Sequence, residues 1–439
     1  MRFRRGPATV TGEQLSREPD THVAALTWTG RISPRKGVFA MRARAVPLRL
    51  LSAVAVAGLA LAGCSTATTD TTDTAAPDGC ITDFDPSVDY FPDKSEVVDA
   101  ENFSITYENS YQVLTVDEPY SGAEPESYVL VKCGAPAPEL SDDLADAQQI
   151  SVPISSLYSG STTHLPLVAE LGVLDVLTGM SNGSYVSDTA VVDRIASGDV
   201  AEYAAGGTID TEAVVVAAPD VVMTGGTDDP AYAQLREAGI GVVANAEWLE
   251  ASPLGRAEWI KVMAALTGTE VRAAEAYDGI RRDYLQVADK AAGAEPAPVL
   301  LGGMSQGTWY MSSGGSYMGR LFSDAGATWP WQDVTSTGSL PLDFEAVVAE
   351  ASDAPTWLVV NSWTSIGDAL ADDERYGDLA AVGTGQVWNA NKALGPGGGN
   401  DFYERGVLRP DLVLSDLVAV LHPELLPDHE FTFYQRLPA

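Results

Sequence analysis

The spacing of apolar residues changes along the chain and marks out successive regions. From residue 80 to about 135, short runs rich in β-branched and aromatic residues cover 103–107, 111–116 and 128–132, with turn formers between them. This predicts a small β layer. After residue 148, strands and helices alternate. Strands are expected at 150–154, 220–223 and 240–243, and helices at 164–171 and 232–238. The middle is helical: Trp259, Ile260, Met263 and Leu266 recur at helical spacing, Gly268 breaks the run, and Thr269 can cap a second helix from Glu270 to about Ala292. Alternation then resumes, with strands at 299–301 and 357–360 and helices at 317–325 and 344–350. Such alternation implies parallel sheets covered by helices. The expected fold class is therefore α/β, with two lobes of parallel sheets flanked by helices and joined by a long interlobe helix.

An internal echo supports two related lobes. IDTEAVV at 209–215 recurs as LDFEAVV at 342–348, and each copy is followed by a proline and then an apolar strand. Glu212 and Glu345 thus hold equivalent places in the first turn of a helix. Either one alone could simply favour its helix N-terminus, worth about 0.3–1 kcal/mol. A matched pair, one per lobe, suggests similar contacts with something that spans both.

The N-terminal region carries export chemistry. Arg42, Arg44 and Arg49 lead into an apolar run over 50–61 that ends in Leu61-Ala62-Gly63-Cys64. That run has the length of a signal-peptide core and is too short to span a bilayer. Its end resembles the lipobox of bacterial lipoproteins, which implies lipidation of Cys64 and cleavage before it. A start at Met41 would give an ordinary signal, so residues 1–63 are expected to be an upstream extension and lipoprotein signal peptide. Residues 64–79 are small and polar and read as a flexible tether. The expected location is extracytoplasmic, lipid-anchored to the outer face of the cell membrane. Beyond the tether, the expected units are an N-terminal lobe with a β-rich front at 80–252, linking helices at 253–293 and a C-terminal lobe at 294–439.

Charge and cysteines narrow the classes further. The chain carries a formal charge of −35, and residues 1–63 hold ten of its Lys/Arg against three Asp/Glu, so the exported part is more acidic still. Such a surface repels nucleic acid and leaves lipid as the membrane contact. Outside the cytoplasm, Cys80 and Cys133 are expected to form a disulfide. With no histidine near either, no metal centre is expected, and no cofactor.

The ordered set of motifs resembles the binding proteins of ABC importers for iron–siderophore complexes, cobalamin and haem. Its parts are TTHL at 162–165, DTEAVV at 210–215 with APDVVM at 218–223, PLGRAEW at 253–259 and GNDFYERG at 399–406. The resemblance spans roughly 148–425 and implies two lobes that close on a ligand across a rigid helix. It implies as partners an ABC permease with its ATPase and an iron–siderophore, cobalamin or haem ligand. Glu212 and Glu345 match the permease-docking glutamates. Ligand groups are implied at Thr162, Thr163 and His164, with Trp248 a weaker candidate, and at Trp309, Tyr310, Tyr317, Trp363, Asn400 and Tyr403. Six of the eight tryptophans beyond Cys64 lie past residue 300, which suits stacking on a flat ligand. Each aromatic could equally belong to a lobe core. His164 could cap a helix, touch the permease or ligate haem iron, with Met304, Met311 or Met318 opposite it.

Two readings of other classes remain. GMSQG at 303–307 fits the Gly-x-Ser-x-Gly elbow of α/β-hydrolases, with Asp401 and His422 or His429 later in the required order. The elbow needs a helix directly after Ser305, and the β-forming, glycine-rich run that follows does not predict one. A ligand-sensing lipoprotein without transport is the other.

Overall fold

A computed structural model describes residues 79–439. The signal-like segment, Cys64 and nearly all of the tether lie outside the described residues. Strands β1 (Phe103–Tyr107), β2 (Tyr111–Val116) and β3 (Glu126–Lys132) form an antiparallel meander. β4 (Gln148–Val152) then pairs parallel to β3. The strand expected at 150–154 to open the first lobe therefore completes the front sheet instead. Its alternation explains the choice: Ile150 and Val152 are buried with Leu114, Val116, Tyr128 and Leu130 on one face, against Trp259, Ile260 and Met263. Val113, Val129 and Val131 take the other face under Leu140 and Leu144. Cys80 and Cys133 are joined by a disulfide at the edge of this layer.

The N-terminal lobe is built on five parallel strands in the order β7-β6-β5-β8-β9. They are β5 (Leu157–Ser159), β6 (Leu177–Met180), β7 (Ala201–Glu202), β8 (Val221–Thr224) and β9 (Gly241–Ala244). Crossovers run through α1 (Leu165–Glu170), α2 (Thr189–Ser197), α3 (Thr211–Ala217) and α4 (Pro230–Glu237). The chain starts at the central β5, works outward through β6 and β7, then returns to β8 on the other side. The order reverses between β5 and β8.

The C-terminal lobe repeats this plan. β10 (Ala297–Leu301), β13 (Ala327–Thr328), β15 (Thr356–Val359), β16 (Val387–Asn389) and the antiparallel edge strand β17 (Gln435–Arg436) lie in the order β13-β10-β15-β16-β17. Here the reversal falls between β10 and β15. A second small sheet, β11 (Gly303–Ser305), β12 (Thr308–Ser312) and β14 (Ser339–Leu342), stands beside it. The helices are α8 (Tyr317–Asp324), α9 (Phe344–Ala351), α10 (Ile366–Asp372), α11 (Ala380–Thr384), α12 (Arg405–Leu408) and α13 (Pro410–Leu421).

Between the lobes run α5 (Pro253–Glu258), α6 (Ile260–Thr267) and α7 (Glu270–Ala291). Gly268, at φ 68°, ends α6 in the left-handed conformation that suits glycine. Thr269 precedes α7 but makes no side-chain cap bond; its hydroxyl meets that of Thr267 instead. At 22 residues, α7 is about 33 Å long. Its first half packs Ala273, Tyr277 and Ile280 into the N-terminal core, and its second half packs Tyr284, Val287 and Ala291 into the C-terminal core.

Candidate functional site at the lobe interface

Open parallel sheets bind ligands outside the carboxyl ends of their strands, where strand order reverses. In the N-terminal lobe that place is the loop after β5. Ser161 caps the turn there, its hydroxyl accepting from the amide of Thr163 at 3.3 Å, and leaves Thr162 and Thr163 partly exposed. His164 turns inward. It is 1% exposed, its Nδ1 lies 2.8 Å from the Ser159 hydroxyl, and burial pushes its pKa down to about 3. The ring is thus walled off from solvent and stays neutral, which corrects its assignment to the ligand surface. Trp248 is exposed, its indole donating to the Gly225 carbonyl at 3.2 Å.

Across the interface the predicted aromatics divide. Trp309 is fully buried, donates to the Leu301 carbonyl at 2.9 Å and stacks on Trp357 at 5.7 Å. Trp363 is also buried and packs its edge on Trp357 at 5.5 Å, its indole donating to Asp372. Both belong to the C-terminal core, because each indole finds its partner within its own lobe. Asn400 is likewise occupied: its amide donates to Ala390 at 2.8 Å and its oxygen accepts from the Phe402 amide at 3.0 Å. Tyr310, on the opposite face of β12 from Trp309, is exposed.

Tyr317 and Tyr403 meet at a small cavity of about 30 Å³, walled also by Pro253, Arg256, Met318 and Phe402. Arg256 lies 3.9 Å over the Tyr317 ring and is held by Glu247 at 2.5 Å. The Tyr403 ring is half exposed, yet its hydroxyl sits among protein walls that exclude much of the solvent, and this pushes its pKa up to about 12. Arg256 was not singled out from the sequence, although it lies inside the quoted PLGRAEW run. Its only signal was a cation at the start of the linking helices. A second, wider cleft of about 500 Å³ lies between α1 and the start of α2 on one side and residues 393–409 on the other.

Where the lobes touch, glycines set the fit. A Cβ at Gly395 would lie 2.5 Å from the Ser187 Cα, one at Gly397 2.4 Å from the Ser184 carbonyl oxygen, and one at Gly399 2.0 Å from that of Tyr185. The Glu404 carboxylate completes the clasp, accepting from the amides of Ser187 at 2.8 Å and Asp188 at 2.9 Å. Burial raises the pKa of Glu404 despite these bonds. Replacing Gly399 with alanine forces the loops apart. Overpacking of this kind costs about 1–3 kcal/mol, which should weaken ligand binding roughly five- to 150-fold wherever closure contributes to affinity. Titration calorimetry of Gly399→Ala checks this; unchanged affinity together with unchanged compactness in small-angle scattering would sink it.

Glu212 and Glu345 both stand exposed in the first turns of α3 and α9, the helices preceding β8 and β15. Arg375 approaches Glu345 at 3.6 Å. Ser305 sits in the β11–β12 hairpin, whose turn places Gln306 and Gly307 at φ 51° and 85°. A strand, not a helix, follows it, so the hydrolase elbow is not formed. His429 is engaged by Asp416 at 2.6 Å and Asp401 by Arg405 at 2.7 Å. Among the described residues, no group of three or more His, Cys, Asp and Glu is arranged to hold a metal.

Residues 154–394 match the family model for periplasmic binding proteins. An uncharacterized lipoprotein of Methanocaldococcus jannaschii is 26% identical over 296 residues, covering 65% of this chain and 69% of the relative. Among solved structures, a periplasmic binding protein of Veillonella parvula is similar in fold, with TM-score 0.52 and 13% identity over 70% of this chain and 98% of that one. Helicobacter pylori CeuE with Ni(II) bound is similar too, with TM-score 0.50 and 15% identity, covering 64% of this chain and 88% of that one. With the reversal of strand order repeated in both lobes and the family match covering the N-terminal lobe's sheet and all but the edge strand of the C-terminal one, the chain belongs to the periplasmic binding protein family.

Proposed function

We propose that this solute-binding protein is held outside the cell membrane by lipid on Cys64, captures an iron–siderophore or related metal chelate between its lobes, and delivers it to an ABC permease driven by its ATPase. No covalent chemistry is asked of it. Among the described residues no helix is long and apolar enough to cross a membrane, so a tether before residue 80 would be the link to the bilayer. The matching relative is itself described as a lipoprotein. The observation that carries the delivery step is the duplicated exposed glutamate, Glu212 on one lobe and Glu345 on the other, each opening a helix that leads into the sheet. Two like charges on separate lobes give a partner a two-point grip, so docking would report on how the lobes are set.

Cells carrying Glu212→Arg with Glu345→Arg should take up the radiolabelled chelate at least several-fold more slowly, while the purified variant keeps its affinity for the chelate. Exposed charges of this kind steer association more than they hold a fold. Uptake at the wild-type rate would remove the docking role from the pair.

A further inference from the structure

The chemistry of the interface also bears on which chelates the protein accepts, given that it captures a metal chelate between its lobes. Three arginines line the two cavities, the smaller between the linking helix α5 and the C-terminal lobe and the wider between the two lobes, and a carboxylate has claimed each of them. Arg256 is bound to Glu247 by Nε at 2.6 Å and by a second nitrogen at 2.5 Å. Arg405 is held by Asp401 at 2.9 and 2.7 Å, and Arg409 meets Asp411 side-on through two bonds of 2.9 and 2.6 Å. The wider cleft adds Glu170, Asp188 and Glu404 to its walls and no further cation. Asp188 accepts from backbone amides, and Glu404 from backbone amides and the Ser187 hydroxyl; these neutral donors orient a carboxylate without cancelling its charge. The remaining surface of the smaller cavity is apolar, with Tyr317, Tyr403, Phe402 and Met318 set among aliphatic residues.

Of the described residues around these cavities, none offers an uncommitted guanidinium or ammonium to a ligand anion. A polyanionic chelate entering here would lose its water, meet more carboxylates than cations, and could gain an arginine only by breaking an existing ion pair. A neutral or cationic chelate incurs none of these costs and can use the aromatic faces, toward which a cation is attracted.

We propose that the cleft between the lobes, together with the adjoining cavity under α5, selects uncharged or positively charged metal chelates and rejects polyanionic ones, with Glu247 contributing to that preference by neutralising Arg256. Specificity of this kind comes from building a repulsive element against the wrong ligand.

The test compares three iron(III) complexes that differ in charge: the cationic desferrioxamine B complex, neutral ferrichrome, and the trianionic enterobactin complex. Binding is read by quenching of tryptophan fluorescence, with calorimetry as a check, at low and high salt. The cationic or the neutral complex should bind at least about tenfold more tightly than the trianion, and added salt should narrow the gap. Tighter or equal binding of the trianion overturns the charge preference but leaves the chelate-binding reading standing. Failure of all three to bind a folded protein overturns both. In Glu247→Gln, which frees the charge on Arg256, the preference should shift several-fold toward the trianion. An unchanged preference in that folded variant removes Glu247 from the role. Should the variant not fold, the wild-type ranking and its salt dependence still decide.

Discussion

Replacing Glu258 with alanine should destabilise the protein by about 3–5 kcal/mol, the cost of stranding one member of a buried ion pair. Glu258 is 0% exposed. Its carboxylate accepts from three consecutive amides, Val98 at 2.8 Å, Asp99 at 2.6 Å and Ala100 at 2.7 Å. It also pairs with Lys261 at 2.6 Å, whose side chain is 4% exposed. Without the carboxylate, a buried ammonium keeps only the Glu96 carbonyl and the face of Tyr277, and the amides lose their acceptor. The neighbouring Glu250 secures the next residues in the same way, through the amides of Glu101 and Asn102. These two glutamates fasten the segment ahead of the front sheet to the linking helices. In Glu258→Ala, urea unfolding should show the lower stability, and limited proteolysis should cut near residue 100 before the lobes are attacked. A loss below about 1 kcal/mol would place Glu258 among the ordinary surface pairs.

A comparably large effect is expected on acidification. His164 is fully buried, no charge offsets its burial, and Nε2 has no hydrogen-bond partner in the protein. Its folded pKa, about 3, lies below the ordinary value of 6.5. The unfolded chain therefore takes up a proton near pH 6.5 while the folded chain does not. The stability His164 contributes is fully present above pH 6.5 and is lost as pH falls from there toward 3, by up to roughly 5 kcal/mol if the whole window is crossed. Buried Glu250 and Glu404 and half-buried Glu270 act oppositely, since burial raises their pKa and they protonate sooner in the folded state. The comparison must therefore be between wild type and His164→Gln, each unfolded by denaturant at pH 7.5 and pH 5. The difference between the two proteins should shrink on acidification. A difference that stays constant, or grows, would show that the ring carries its proton in the folded state.

Much of the fold could be read from the chain because it depends on local periodicity. The alternation after residue 148 and the helix beginning at Glu270 depend on apolar spacing, which pays no regard to distant partners. The echo of 209–215 at 342–348 was legible for the same reason, and it located Glu212 and Glu345 in matching first turns. Where a residue's fate depends on what lies across from it, the sequence was silent. Ile150 and Val152 alternate just as a lobe strand would, and only their packing against Trp259 assigns them to the front sheet. Trp309 and Tyr310 are adjacent and both aromatic. The pleat buries one and exposes the other, and no composition argument could have told which. His164 and Asn400 carry polar groups that look available until their partners, Ser159 and Ala390, are seen. Gly395, Gly397 and Gly399 carried no signal of their role, which is that their lack of side chains lets another loop come close. Arg256 was hidden by its ordinary place in a helix, and its value comes from Glu247 and Tyr317 around it.

The strut formed by α7 has a thermodynamic meaning as well as a geometric one. Half of its apolar stripe completes one core and half the other, so neither lobe can keep an intact interior once the helix is lost. Melting one lobe removes a wall from its neighbour, and the two should come apart in a single cooperative transition. The binding cleft and the body that frames it thus stand or fall together.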